Sequence, residues 1–130
     1  MNEGNAVRSY QDLKVWRLGI GIAESVYRLT AMFPKHELYG RSSQMQRAAV
    51  SVPSNIAEGS SRDSTREYLR HLSIAVGSLA ELETQLIIAL RLEYCAVEQQ
   101  EVLSARIKEI GRMLSGLQRS LRAKLDPPEA

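Results

Sequence analysis

The sequence predicts an all-α protein, an antiparallel up-down-up-down four-helix bundle whose second helix is kinked at Pro53. Three observations lead there. Apolar residues recur at steps of three and four along four separate stretches, the spacing that keeps one face of a helix. The core must be aliphatic, because the 130 residues include one Phe and one Trp, whereas strands draw on aromatic and β-branched residues. Helix breakers are scarce, and two of the four prolines are the adjacent pair Pro127 and Pro128. A chain of this length suits one domain with one core. The expected division is a flexible tail over 1–10, the bundle over 11–125 and a C-terminal tail over 126–130.

The first helix is expected from Asp12, a good N-cap, to about Met32. Its leading apolar stripe is Leu13, Trp16, Ile20, Ala23 and Tyr27. A second stripe, Val15, Leu18, Ile22 and Leu29, lies beside it. Together they make the helix apolar over more surface than a monomeric bundle needs. Phe33-Pro34 ends it, since a residue before proline resists the α region.

The second helix is expected from about Glu37 to Gly59, with Leu38, Met45, Ala49, Val52 and Ile56 facing inward and Ser42 in the same register. Pro53 removes an N–H and its ring crowds the Ala49 carbonyl, so a kink is expected, with Ser51, Ser54 and Asn55 at hand to bond the freed backbone groups. In the third helix Ser64 and Glu67 form a capping box. The stripe Tyr68, Leu72, Ala75, Leu79, Leu82, Leu86 and Ala89 follows, ending near Glu93. The fourth helix spans about Val97 to Lys124 through Leu103, Ile107, Ile110, Leu114, Leu117 and Leu121, and Asp126-Pro127-Pro128 closes it. Short connections between sustained heptads favour antiparallel neighbours and knobs-into-holes packing.

Charge and cysteine content narrow the function classes. A single cysteine, Cys95, excludes an intrachain disulfide and a cysteine-based zinc site, and a reducing cytoplasm is the expected compartment. The polar N-terminus has no signal-peptide core, and no uninterrupted apolar run approaches the roughly 20 residues that span a bilayer. Net charge is only +2. Even so, Ser104 to Leu125 holds Arg106, Lys108, Arg112, Arg119, Arg122 and Lys124 against Glu109 alone. Local potential of this kind governs encounters with polyanions.

Catalytic patterns are missing. A di-iron bundle needs Glu-x-x-His pairs, but Phe33 precedes His36 and Tyr68 precedes His71 at that spacing. No nucleophile elbow or phosphate loop is present. Cys95 reads as packing, and acid–base work by Glu58, Glu81 or Glu83 trails behind ion pairing. No enzyme, metal, cofactor, small-molecule substrate or membrane association is expected. Binding remains. Arg62, Arg66 and Arg70 recur every four residues, and in an antiparallel hairpin Arg41 and Arg47 could lie nearby. Such guanidinium faces suit phosphate, so RNA or other nucleic acid is one expected partner. Pairing with Asp63, Glu67 and Glu58 competes with that use. The other expected partner is a second copy of the chain, through Trp16, Gly19, Ile20 and Ala23 on the first helix. The alternative reading is a protein-binding scaffold without nucleic acid.

Particular motifs carry a family resemblance. Asp12-Leu13-Lys14-Val15-Trp16 opens the first helix. Gln46-Arg47-Ala48-Ala49-Val50-Ser51-Val52-Pro53-Ser54-Asn55-Ile56-Ala57-Glu58-Gly59 fills the second. Glu67-Tyr68-Leu69, Ile74-Ala75-Val76-Gly77-Ser78 and Glu81-Leu82-Glu83-Thr84-Gln85-Leu86 follow in the third. Over about residues 11–95 the chain resembles the 23S rRNA intervening-sequence proteins of bacteria, with Pro53, Ser54, Asn55, Glu58 and Gly59 at the centre of the most specific motif. Gln46 stands where the family pattern often has a basic residue. The resemblance implies a four-helix bundle assembled as a homo-oligomer, typically a five-subunit ring. It extends to the basic accessory proteins of diversity-generating retroelements, which work with RNA.

Overall fold

The computed structural model describes residues 9–125; the expected C-terminal tail and most of the N-terminal one lie outside them. Four α-helices follow in order, with no strand among the described residues: α1 Lys14–Thr30, α2 Arg41–Ser60, α3 Thr65–Arg91 and α4 Val97–Leu125. Sequence-adjacent helices pack together, α4 closes back onto α1, and the backbones of the diagonal pairs stay apart. This is the square of an up-down-up-down bundle.

The boundaries show which local interactions win. Asp12 belongs to a short 3-10 turn, Tyr10–Asp12, held by the Ser9 side chain, and Leu13 is the N-cap of α1 instead. Helix α1 stops at Thr30, before Phe33-Pro34, because Phe33 turns inward and is buried. A second 3-10 turn, Lys35–Glu37, precedes α2, which starts at Arg41 rather than Glu37. This leaves Leu38 more than half exposed, outside the core stripe. Ser64 Oγ accepts from the Glu67 N–H at 3.1 Å, the N-cap half of the expected box. Helix α3 ends in a Schellman turn. Tyr94 N–H reaches Ala89 O and Glu93 N–H reaches Leu90 O, each at 2.9 Å, while Glu93 takes a φ of 63°.

The core stripes of α3 and α4 fall where their periodicity puts them, with Leu72, Ala75, Leu79, Leu82, Leu86, Ala89, Leu103, Ile107, Ile110, Leu114 and Leu121 buried. Tyr68 and Leu117 are only partly buried beside them. Helix α1 differs from expectation. Its buried residues are Val15, Gly19, Ile22, Val26 and Leu29, whereas Ile20 and Tyr27 of the leading stripe are exposed. The cause is Pro53, which lies inside α2 where the sequence calls for a kink and is itself buried. A Cβ on Gly19 would stand 3.3 Å from Pro53 Cβ and 3.4 Å from its Cδ. The proline ring seats on the bare backbone of Gly19 and sets the rotation of α1.

A second close approach joins the far ends of α2 and α3, where a Cβ on Gly59 would come within 2.8 Å of His71 Cβ. The opposite end of the bundle is tied by Glu37. Its carboxylate accepts from the Arg41 N–H at 3.3 Å and from the Tyr94 hydroxyl at 2.9 Å, linking the start of α2 to the α3–α4 turn.

Helix α3 is long and apolar enough over an 18-residue window to cross a membrane by length and composition alone. Counting uninterrupted apolar runs misses this, because serine, glycine, threonine and glutamine break the runs at little cost in charge. Two of those polar residues, Ser78 and Gln85, are buried against α2.

Gly59→Ala is expected to cost about 1–3 kcal/mol through overpacking. Gly77→Ala, with nothing within 4 Å of its Cβ, is expected to gain about 0.5–1 kcal/mol from helix propensity. Urea unfolding of the two variants measures both. The Tyr94 hydroxyl, followed by the Arg41 N–H, holds the Glu37 carboxyl below its usual value. A depressed folded value stabilises above the unfolded one, about 4.3, and the benefit fades as pH falls through the folded value. Melting curves between pH 6 and pH 3 are therefore expected to show a smaller acid loss for Glu37→Gln than for the native chain.

Candidate functional site

The seam between α2 and α3 sets three buried polar side chains of α3, His71, Ser78 and Gln85, against polar side chains at the edge of α2. Gln44, Ser51 and Glu58 on α2 are seven residues apart, and so are His71, Ser78 and Gln85 on α3. Antiparallel packing pairs them in three layers. Gln85 Nε2 donates to Gln44 Oε1 at 3.2 Å, Ser78 Oγ donates to Ser51 Oγ at 2.7 Å, and His71 Nε2 stands 4.0 Å from Glu58 Oε2. Periodicity analysis misses these residues, since it follows apolar positions and these sit one step to the side. The heptad recurrence of polar residues on both helices is the signal that finds them.

Asn55 joins two of the layers. Its amide nitrogen donates to Ser51 O at 2.9 Å and to Ser51 Oγ at 3.0 Å, supporting the backbone two residues on either side of Pro53. The carbonyl that it supports is that of Ser51. With the nitrogen so occupied, Oδ1 faces His71 Nδ1 at 3.0 Å, and the ring must carry its proton on Nδ1. Arg70 Nη2 then donates to Nε2 at 3.3 Å. His71, 4% exposed, is thus held on both nitrogens. The sequence motif around Pro53 has a physical content: Pro53 seats α1, Asn55 orients His71, Glu58 accepts from Arg62 at the end of the seam and Gly59 lets α3 approach. Ser54 is exposed.

The arginines divide into two groups. Arg62, Arg66 and Arg70 lie at the Gly59 end, while Arg41 is roughly 20 Å along the axis from Asn55 at 1.5 Å per residue. Antiparallel packing therefore keeps Arg41 away from the row, and Arg47 lies between, beside Gln44, Ser51, Ser78 and Glu81 in a hollow of ≈ 380 Å³. Within the row, Arg62 pairs with Glu58 at 2.7 Å and Arg70 with Glu67 at 3.0 Å. The Arg70 guanidinium holds the Glu67 carboxyl below its usual value. Arg41 lies 3.9 Å from Glu37. Arg47 and Arg66 are exposed and make no ion pair among the described residues.

The expected self-contact residues also divide. Gly19 is buried under Pro53, and Trp16 and Ala23 are partly buried against the core, with Trp16 edge-on to Tyr10 at 5.2 Å. Ile20 is 44% exposed, Tyr27 50% and Val50 on α2 40%. Tyr27 and Val50 share the lining of one surface hollow at the α1–α2 seam, and Ile20, seven residues before Tyr27, lies on the same side of α1.

The carboxylates considered for acid–base work are occupied separately. Glu58 meets Arg62, Glu81 accepts from Gln85 Nε2 at 3.3 Å, and Glu83 accepts from Ser104 Oγ at 3.1 Å. Among the described residues no group of three His, Cys, Asp or Glu is placed to hold a metal ion. Burial pushes the Cys95 thiol up, which lowers its thiolate fraction.

Asn55→Ala would leave the buried His71 Nδ1–H without an acceptor, at an expected cost of about 1–3 kcal/mol. In a double-mutant cycle with His71→Ala, a coupling above about 0.5 kcal/mol is expected from denaturant unfolding. Additive losses would mean that the bond contributes nothing.

No curated protein matches the chain. Among solved structures it is similar to a crystal structure of a protein of unknown function from the S23 ribosomal protein family of Bacteroides thetaiotaomicron. The TM-score is 0.75 at 25% identity, over 80% of this chain and 97% of that one. A family model described as 23S rRNA-intervening sequence protein matches residues 11–116, from the 3-10 turn before α1 well into α4. With the motif around Pro53 accounted for and most of the bundle inside that match, the chain belongs to the 23S rRNA-intervening sequence protein family.

Proposed function

We propose that this protein is a non-enzymatic bundle that assembles with copies of itself and contacts RNA or other nucleic acid through cationic outer faces. The carrying observation is the apolar border of the α1–α2 seam, where Ile20, Tyr27 and Val50 stay exposed although α1 already contributes its full inner stripe to the core. An apolar edge of this kind on a small domain is covered favourably by the same edge of a second copy. Five copies is the number implied by the family resemblance. The nucleic-acid part rests on cations in excess on the outer faces, such as Arg47 and Arg66, for which the bundle supplies no ion pair among the described residues.

The non-enzymatic reading draws on the carboxylates Glu58, Glu81 and Glu83, each of which serves a neighbouring side chain. The second reading, a protein-binding scaffold, draws on the same apolar border.

Light scattering of the purified protein, with and without bacterial RNA at low and high salt, tests both. The expected result is a multimer that gains RNA at low salt only, and that Ile20→Glu with Tyr27→Glu reduces to a folded monomer. A native chain that is monomeric would sink the assembly. A multimer indifferent to RNA would favour the scaffold.

A further inference from the structure

Four cations of α4 differ from Arg62 and Arg70 in making no ion pair among the described residues. Lys108, Arg112, Arg119 and Arg122 succeed one another, through Ser115, at steps of four and three, so they share one face of the helix. All four are exposed, and none forms an ion pair among the described residues. The row spans roughly 21 Å at the α-helical rise. Lys108, Arg112 and Arg119 border a shallow hollow of ≈ 600 Å³ whose remaining lining is Val76 from α3 with Gly111 and Ser115. Small residues under three cations leave room for anionic oxygens to come close. Arg106, the other arginine of this helix half, is turned away, with Nη1 donating to Ser25 Oγ on α1 at 2.9 Å.

From this arrangement we infer that the α3–α4 face around Lys108, Arg112, Arg119 and Arg122 is the surface that takes the phosphate backbone of a nucleic-acid duplex. The inference rests on the nucleic-acid reading above and moves its site away from Arg62, Arg66 and Arg70. Two of those three arginines already hold a carboxylate, and an incoming phosphate would have to displace it. On α4 nothing needs displacing. A duplex presents one phosphate per ~3.4 Å of axis along each strand, and because the strand winds about that axis, about three of the six over this length face the row. Guanidinium forks bind phosphate oxygens two at a time. Arginine clusters also take acidic peptide motifs, but four cations at regular steps over this length match a regularly charged polymer. With no aromatic side chain lining the hollow, recognition is by charge and spacing rather than by base.

The test is fluorescence anisotropy of labelled RNA and DNA duplexes of about 20 base pairs with the full chain, across a salt series. The native protein is expected to lose affinity linearly in log salt. Lys108→Gln with Arg112→Gln and Arg119→Gln is expected to bind at least about tenfold more weakly, and its salt slope to fall by about 3. Circular dichroism of these surface variants confirms that the helices persist. Arg62→Gln with Arg66→Gln is expected to bind within about twofold of native. Loss of binding in the α3 variant but not in the α4 variant would overturn the site while keeping nucleic acid as partner. No binding of either duplex by the native protein at low salt would sink the nucleic-acid reading itself. Equal affinity for polyglutamate at matched charge would overturn the nucleic-acid occupant.

Discussion

The pairing of α2 with α3 is the constraint on which the rest of the bundle hangs. Hydrophobic burial alone brings two amphipathic helices together but tolerates sliding by a heptad, since every seven residues the apolar stripe meets an equivalent one. Polar layers remove that tolerance. With Gln44 opposite Gln85, Ser51 opposite Ser78, and Asn55 on His71, a slipped register would take these partners away from the buried Gln85, Ser78 and His71. The outer helices then take their places on a hairpin whose register is already specified.

How α1 takes its place follows from one contact. Pro53 presents a rigid apolar ring on the flank of α2, and the bare backbone of Gly19 lets α1 reach it without the crowding that a Cβ at 3.3 Å would bring. Seating Gly19 there turns Val15, Ile22, Val26 and Leu29 inward. The same rotation leaves Ile20 and Tyr27 at the border of the α1–α2 seam. An apolar surplus in the sequence thus becomes a directed edge, facing away from the core beside Val50 on the neighbouring helix.

Much of this architecture is legible in the sequence, and the illegible parts have specific causes. The stripes of α3 and α4 are single and regular, so periodicity alone identifies their buried residues. Helix α1 carries two apolar stripes of similar strength, and choosing between them requires knowing that Gly19 meets Pro53, a contact across 34 residues of chain. The polar seam is hidden because single serines and glutamines look like surface residues until the partner helix shows the same spacing. The arginine row is visible as a pattern, yet its use of Glu58 and Glu67 becomes evident only when rotamers are placed. The cations of α4 stand out in the sequence as an excess of charge, while the division between Arg106 and the others depends on which neighbour each meets.

The repeated layers also limit how the hairpin can change in length. Removing or inserting seven residues in both arms leaves the surviving layers aligned and the apolar stripes in phase. Any other length, or a change confined to one arm, sets serine against leucine and glutamine against alanine. The α2–α3 hairpin is therefore modular in units of two helical turns, and lineages that lengthen or shorten it have one step size open to them. The α3–α4 side shows one polar contact of this kind among the described residues, Ser104 Oγ on Glu83, and no repeated series of layers.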